Sequence, residues 1–346
     1  MQSDPPVFAA PSSRRRRFAG ARNLLRFVLE WKHFHRGRVT HLPLEVSLEV
    51  TNSCNFSCGF CPQSSPDHFD IVPRSSLEPE RAREILRAVR EMGYEKTLLH
   101  WTLDGEPFMS KRFAELCEVA SELGFTNQYF ATNMALTTAE RVHALPADVR
   151  YTLTVDYCAE ADLFEEHRGT PGSWVKVRDN VREILSDPAL GHVLFELKDM
   201  TSYTTDDPER LRASMAALRA LFPPSERIEF FSKVFHNATG FLSRGSRKGR
   251  YRLCPYPWSS LNIASNGDVV ACCRDLRHKT VLGNALEQGL AEIWNGTAMG
   301  ALREDLVAGR PQDQRACAAC DLPWDGSKFT WGHQLRVLRH RLQLGR

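Results

Sequence analysis

From Leu44 to Val50 the chain alternates without a break. Leu44, Val46, Leu48 and Val50 fall on one face of an extended segment, and Glu45, Ser47 and Glu49 on the other. A period of two with unlike faces is the signature of a β-strand. Strand-like runs recur at 96–103, 125–131, 149–156, 192–198 and 227–233, and helical periodicity sits between them over 78–92, 111–123, 173–186 and 208–222. Gly93 closes the first of these helices. Six alternations at these spacings predict right-handed βα crossovers and a parallel sheet with helices outside. Six strands are fewer than the eight of a closed barrel. The fold class expected is therefore α/β, a partial (β/α)6 TIM-type barrel, with an open doubly wound sheet as the competitor. The first strand favours the barrel, because its apolar face meets helices while its polar face lines a lumen fit for a polar substrate.

The pattern changes after Lys233. Residues 236–252 are rich in Gly, Ser and Arg and read as a linker. A small cysteine-containing module follows over 253–325, and a basic helix over 326–346 ends the sequence. Ahead of the barrel, taken as 42–235, residues 1–41 form a basic helical extension. Nine Arg or Lys residues stand against one Glu between Arg14 and Arg38. Arg22, Arg26, Glu30 and Lys32 interrupt the apolar stretch that a twin-arginine export signal would need. Leu24, Leu25, Phe27, Val28 and Trp31 fit one helix stripe packed on the domain, with membrane-surface or partner binding as the alternative. No apolar run approaches the ~18 residues of a membrane span, and the expected location is the cytoplasm.

Over all 346 residues the composition is globular, with 42% hydrophobic and 25% charged residues. A net charge of +3 implies no general attraction to nucleic acid. The ten cysteines change the picture more. Without a signal sequence they argue against a disulfide framework, and clustered reduced cysteines are more often metal ligands. Three stand near residue 58 and five in the C-terminal quarter, leaving Cys117 and Cys158 alone.

The first cluster, EVTNSCNFSCGFCPQS, follows the first strand directly, at the end of a barrel where chemistry is placed. The spacing of Cys54, Cys58 and Cys61, C-x3-C-x2-C, lets one loop wrap three thiolates around a [4Fe–4S] cluster and leaves one iron open. A zinc site or a ferredoxin-type cluster is the alternative, but each wants a fourth ligand, and His68 sits at an unusual spacing. The motif resembles the signature of the radical S-adenosylmethionine (SAM) superfamily, with Phe60 in the aromatic place beside the adenine. The resemblance implies that the open iron binds SAM and that reduction yields a 5′-deoxyadenosyl radical, which takes a hydrogen atom from substrate. TLDGEPF (102–108) resembles the family's G-G-E-P motif, which holds the methionine amino group; Asp104 replaces the first Gly, while Gly105 and Glu106 match. YFATNMALT (129–137) resembles T-N-G-x-x-L, with Asn133 matching and Met134 in place of Gly. LTVDYC (153–158) resembles V-S-L-D-G, with Asp156 matching. Each motif follows an expected strand.

In the C-terminal module, Cys254, Gly267 and Cys272 make a C-x12-G-x4-C pattern, and NIASNGDVV reads as a hairpin with an Asn-Gly turn. The pattern, with VLGNALEQGLAEIWNG after it, resembles the first half of a SPASM domain. Because the sequence stops at Cys317 and Cys320, it resembles the shortened form called a twitch domain. Cys254, Cys272, Cys317 and Cys320 are enough to saturate an auxiliary [4Fe–4S] cluster, whose role would be electron transfer or structure; a zinc knuckle is the alternative. Cys273 is then a spare thiol beside a ligand, at a place that points toward substrate in enzymes of this kind. It is the candidate catalytic hydrogen donor, unless it is itself the ligand or an inert buried thiol.

The resemblance extends to aminoglycoside-pathway twitch epimerases and dehydrogenases. It implies hydrogen abstraction from the carbinol C–H of a small polar molecule such as a cyclitol or amino sugar, with epimerisation favoured through Cys273. Dehydrogenation to a ketone through the auxiliary cluster is the alternative, and peptide modification a second one. The expected partners are a small-molecule substrate and an electron donor such as flavodoxin or ferredoxin.

Overall fold

The computed structural model describes residues 13–35, 37–234, 236–243 and 249–324. Residues 1–12, part of the expected linker (244–248) and the basic helix expected over 326–346 lie outside the described residues.

β1 (Glu45–Leu48), β2 (Leu98–Trp101), β3 (Asn127–Ala131), β4 (Arg150–Tyr157), β5 (Val193–Asp199) and β6 (Ile228–Ser232) are all parallel. Each lies within a residue of the run that marks it in the sequence. The sheet order is β6-β5-β4-β3-β2-β1 and continues into β7, β8 and β9. That order decides between the two expected architectures. A doubly wound sheet reverses direction at a switch point. Here chain order equals strand order, so every right-handed crossover lays its helix on the same side, and the other side becomes the inside of a partial barrel.

The two faces divide as the alternation demands. Val46, Leu48, Leu99, Phe130, Leu153, Val155 and Leu197 are fully buried in one core with Ile85, Leu86, Val89, Leu116, Val181 and Ile184 from the helices Pro79–Glu91, Phe113–Glu122 and Ser173–Ser186. Each such side chain contributes about 1.5–3 kcal/mol by leaving water. Ser47, His100, Tyr129 and Thr152 share the opposite face through register. Glu45, Ser47 and Glu49 are buried on it.

β7 (Ser260–Ile263) pairs in parallel with β1, Glu45 opposite Ser260 and Leu48 opposite Ile263. β8 (Asp268–Val270) and β9 (Val281–Asn284) then add on as antiparallel strands. The cysteine module thus prolongs the barrel sheet past its first strand. Its hairpin turns at Asn266-Gly267, where Gly267 takes φ +93°. The segment read as a linker is tied down at its start. Asn237 donates its N–H to Asp321 Oδ1 (3.2 Å) and accepts at Oδ1 from Asp321 N (3.3 Å), next to the last cysteine pair.

The N-terminal helix Ser13–Leu29 runs into a π-helical turn, Glu30–Phe34. Phe27 and Trp31 are buried and stacked at 5.5 Å. Leu25, expected on the same stripe, is 60% exposed: one residue past Leu24 it is turned about 100° off that face. Buried Glu30 accepts from Thr40 N (2.9 Å) and meets His41 Nδ1 at 2.6 Å, while His41 Nε2 reaches Trp258 O at 2.6 Å. Arg303 donates to Pro257 O and Gly37 O, both at 2.9 Å. These bonds stitch the segment before β1 to the cysteine module.

Candidate active site

The loop after β1 is pinned before it reaches its cysteines. Asn52 accepts from Ser75 N and donates to Pro73 O, both at 2.9 Å. Cys61 N donates to Cys58 O (3.0 Å), a tight turn that carries these two cysteines round together. Three N–H groups point at sulfur: Phe56 N at Cys54 Sγ (3.4 Å), Asn133 Nδ2 at Cys54 Sγ (3.6 Å) and Arg168 Nη1 at Cys58 Sγ (3.7 Å). Such donors suit sulfurs that carry negative charge on iron. Burial pushes the Cys54 thiol up to about 12 and the Cys61 thiol well above its ordinary range. Both are therefore neutral without metal, and loading must release their protons. His68 supplies no fourth ligand, because its Nε2 lies 3.0 Å from Asp104 Oδ2. That contact is close but misaligned for a hydrogen bond. The donor set fits a [4Fe–4S] cluster with one open iron better than a closed zinc site. Among the described residues, no three His, Cys, Asp or Glu side chains converge on a point where a single ion would sit.

The loop after β2 presses on this one backbone to backbone. Gly105 has φ +72°, and a Cβ there would lie 2.0 Å from Thr51 O. Only glycine fits. Asp104, at the departure from the family motif, donates its N–H to Glu49 Oε2 (3.1 Å) and accepts from Gly105 N (2.8 Å). Glu106 is 1% exposed. It accepts from Thr132 Oγ1 (2.8 Å), Asn133 N (2.6 Å) and Phe108 N (3.3 Å). The carboxylate thus staples the β2 loop to the β3 loop, whatever it does for a ligand. Burial raises its pKa to about 7 against those donors.

In the β3 loop, Asn133 Oδ1 accepts from Ala135 N (2.9 Å) and Nδ2 donates to Asn55 Oδ1 (2.9 Å). Met134, where the family carries glycine, is fully buried at φ +63°. The chain keeps a left-handed turn there without the residue that makes it easy.

Asp156, ending β4, pairs with Lys233 Nζ at 2.5 Å. Burial pushes its pKa up, but Lys233, Arg168 and Lys198 together hold it below the usual range. Phe60 packs on Tyr203 (4.9 Å between centroids), with the Arg168 guanidinium 5.5 Å above its ring. Arg168 also donates to Asp156 O. Its neighbour Gly169, at φ +61°, lets the helix Ala161–Arg168 end against Ser57 O, where a Cβ would sit 2.3 Å away. Lys198 Nζ donates to Tyr129 OH (3.0 Å), which donates to Glu196 Oε2 (3.1 Å). Burial lowers the Lys198 pKa, but Tyr129, Glu196 and Asp156 outweigh it and keep the ammonium charged.

Sequence reading missed Arg168, Tyr203, Lys198, Glu196 and Lys233. Its usable signals were an Arg-Gly pair closing a helix and polar residues two apart in the apolar strand VLFELKD. A surface groove of about 570 Å³ along Arg83, Glu84, Arg87 and Gln288 lies outside the helix layer, away from both cysteine sites.

At the second site, Cys254 precedes the short helix Tyr256–Ser259, Cys272 follows β8, and Cys320 N donates to Cys317 O (3.1 Å). Cys254 packs with Cys320 and Tyr256. Burial pushes up Cys254, Cys272 and Cys317, the last to about 12. The Cys317 and Cys320 sulfurs raise both Cys254 and Cys272 further. Cys317 and Cys320 thus lie near both Cys254 and Cys272. Cys273 is half-buried beside Cys272 and Arg274.

Comparison with known proteins finds both domains. The radical SAM superfamily model matches residues 48–186, and the SPASM model, an iron–sulfur cluster-binding domain, matches residues 254–321. Among solved structures, BtrN in complex with AdoMet and 2-DOIA is 18% identical, with TM-score 0.56, covering 81% of this chain and 93% of its own. Streptococcus suis SuiB bound to precursor peptide SuiA is 19% identical, with TM-score 0.52, covering 88% and 75%. anSMEcpe with bound AdoMet and Cp18Cys peptide is 12% identical, with TM-score 0.54, covering 87% and 99%. At these identities the likeness is one of fold. No curated protein matches by sequence. A radical SAM domain implies a [4Fe–4S] cluster with SAM, and a SPASM domain implies auxiliary iron–sulfur. With both domains matched in order and the cysteines of each gathered in the fold, this chain belongs to the radical SAM superfamily and carries a C-terminal SPASM/twitch-type domain.

Proposed function

We propose that this radical SAM enzyme removes hydrogen from the carbinol carbon of a small polar substrate and inverts that centre. Cys54, Cys58 and Cys61 would hold the SAM-binding cluster, and Cys254, Cys272, Cys317 and Cys320 the auxiliary one. Phe60, Asn133, Glu106 and Asp156 line the approach to SAM, and Arg168 offers a fixed cation beside Cys58 to its carboxylate. When bound, SAM and its cluster supply the radical that takes the hydrogen.

The observation that carries the substrate class is the inner face of the barrel. Lys198, Tyr129 and Glu196 form one bonded row and Lys233 with Asp156 another, at the ends of β3 to β6. Rows of fixed donors and acceptors match hydroxyl and amine groups on a compact molecule. Peptides are bound by two of the structural neighbours. The bonded rows favour the small molecule, the kind of ligand BtrN holds in its complex with 2-DOIA.

For the reaction, the lumen charges are locked in pairs. Asp156 is held ionised and low, Lys198 is held protonated, and burial pushes the Tyr129 hydroxyl up to about 12. None of these three titrates near neutral pH, and the two carboxylates raised to about 7, Glu49 and Glu106, are taken up in hydrogen bonds to Ser265 and Asp104 and to Thr132 and Asn133. Cys273 instead returns a hydrogen atom: its S–H bond breaks, a C–H bond forms on the opposite face, and the thiyl left behind takes an electron and a proton. The electron comes from a flavodoxin- or ferredoxin-type donor. The second reading, oxidation to a ketone, is favoured by the four-thiol auxiliary site, which gives an electron from substrate somewhere to go. Product formed in deuterated water tests the choice. One deuterium at the inverted carbon supports Cys273, because thiol hydrogen exchanges with solvent. A ketone from the wild-type enzyme would discard inversion.

A further inference from the structure

We infer that Arg274 is the charge that sets the reduction potential of the auxiliary iron–sulfur centre. The inference rests on reading the four C-terminal thiols as one cluster site, and goes beyond it by giving the site its electrostatic partner.

Arg274 stands two residues past Cys272, and Tyr256 two residues past Cys254. The hairpin brings them together, with the guanidinium carbon 5.2 Å from the Tyr256 ring centroid. The Tyr256 backbone N–H lies against the Cys254 sulfur. Arg274 Nη1 is buried and has no hydrogen-bond partner. A buried N–H of a guanidinium left without a partner is an expensive arrangement. The surroundings of Arg274 are sulfur-rich: it follows Cys272 and Cys273 directly, and the Tyr256 ring it covers packs with Cys254 against Cys320.

Bound to iron, the sulfurs of Cys254, Cys272, Cys317 and Cys320 would be thiolates. Four thiolates outweigh the positive charge of a cubane core, so the loaded centre is an anion and becomes more negative on reduction. A fixed cation at its edge therefore stabilises the reduced state more than the oxidised one and raises the potential. Tyr203, at the end of the barrel, also feels the charge of Arg274.

The test is a redox titration followed by electron paramagnetic resonance. It uses the full chain carrying Cys54, Cys58 and Cys61→Ala, in which the auxiliary centre is the sole cluster. Arg274→Gln should shift the reduction equilibrium tenfold or more toward the oxidised state, about 59 mV for one electron. Arg274→Lys should recover most of that shift, and iron and sulfide content should be equal in all three. The same titration on fully loaded protein, with the SAM-binding cluster as internal reference, should show the auxiliary midpoint alone moving. An unchanged auxiliary midpoint overturns the inference and leaves a substrate anion as what Arg274 faces. Absence of iron from the triple-alanine chain, by contrast, would overturn the cluster site itself.

Discussion

Glu106→Ala separates a loop staple from a ligand group. The substitution leaves Thr132 Oγ1 its contact with Thr137 Oγ1 at 2.8 Å, so that hydroxyl is not orphaned. Asn133 N and Phe108 N lose their acceptor. Each buried donor left open costs about 1–3 kcal/mol, so the loss is about 2–6 kcal/mol before any relief. Relief comes from removing a buried charge. The folded pKa of Glu106 is raised to about 7 by burial, against 4.5 as the ordinary value. A raised carboxylate contributes its full stability below the ordinary value and loses it as pH rises through the folded one. At about 1.4 kcal/mol per unit, that window is worth about 3 kcal/mol. The alanine penalty should therefore be larger at pH 5 than at pH 8, by about 2–3 kcal/mol. Urea unfolding of metal-free wild type and variant at both values measures it. A variant equally stable to wild type at pH 5, with only SAM affinity reduced, would refute the staple.

Gly105→Ala puts a methyl group 2.0 Å from Thr51 O at a left-handed φ, and should cost more than about 3 kcal/mol and halve reconstituted iron by displacing the cysteine loop. Met134→Gly relieves about 1–2 kcal/mol of left-handed strain, yet empties a fully buried site, a loss of about 2–5 kcal/mol. The net should be destabilising by about 1–3 kcal/mol in urea unfolding, and a more stable glycine variant would show the side chain to be dispensable packing. His41→Leu removes one partner of the buried contact with Glu30 and the donor to Trp258 O, and should lower unfolding free energy by about 3 kcal/mol; an unchanged urea midpoint would show that the strap before β1 does not hold the cysteine module.

What the sequence displayed and what it hid have different physical causes. The six strands and their order were legible because a barrel strand must be apolar toward its helices at every second residue, and nothing else in the chain mimics that period. The cysteines were legible because a cluster needs several thiols on a short loop. Arg168 and Arg274 were not, since a single arginine in a soluble chain is nearly always a solvated surface group. Their significance comes from burial beside sulfur, which three-dimensional packing decides. Leu25 failed in the other direction: an apolar residue one step off a stripe counts toward it in a list, but not on a helix.

The inner face bears on the chemistry in the same way. Alternation in VLFELKD marks Glu196 and Lys198 as sharing a face, but not that Tyr129, two strands away, would be held between them. Once bonded, these groups make the barrel floor a polar binding surface. An oxidation needs something to take the hydroxyl proton. An inversion needs a hydrogen atom on the second face, and Cys273 is the thiol the fold leaves next to the auxiliary ligands. Its neighbour Arg274 complicates that choice: a cation that eases reduction of the auxiliary centre also makes it a better sink for an electron from substrate. The product ratio between inverted alcohol and ketone should therefore respond to Arg274→Gln as well as to Cys273→Ala, in opposite directions. Losing the thiol steers the substrate radical toward ketone, and losing the cation steers it back toward inversion.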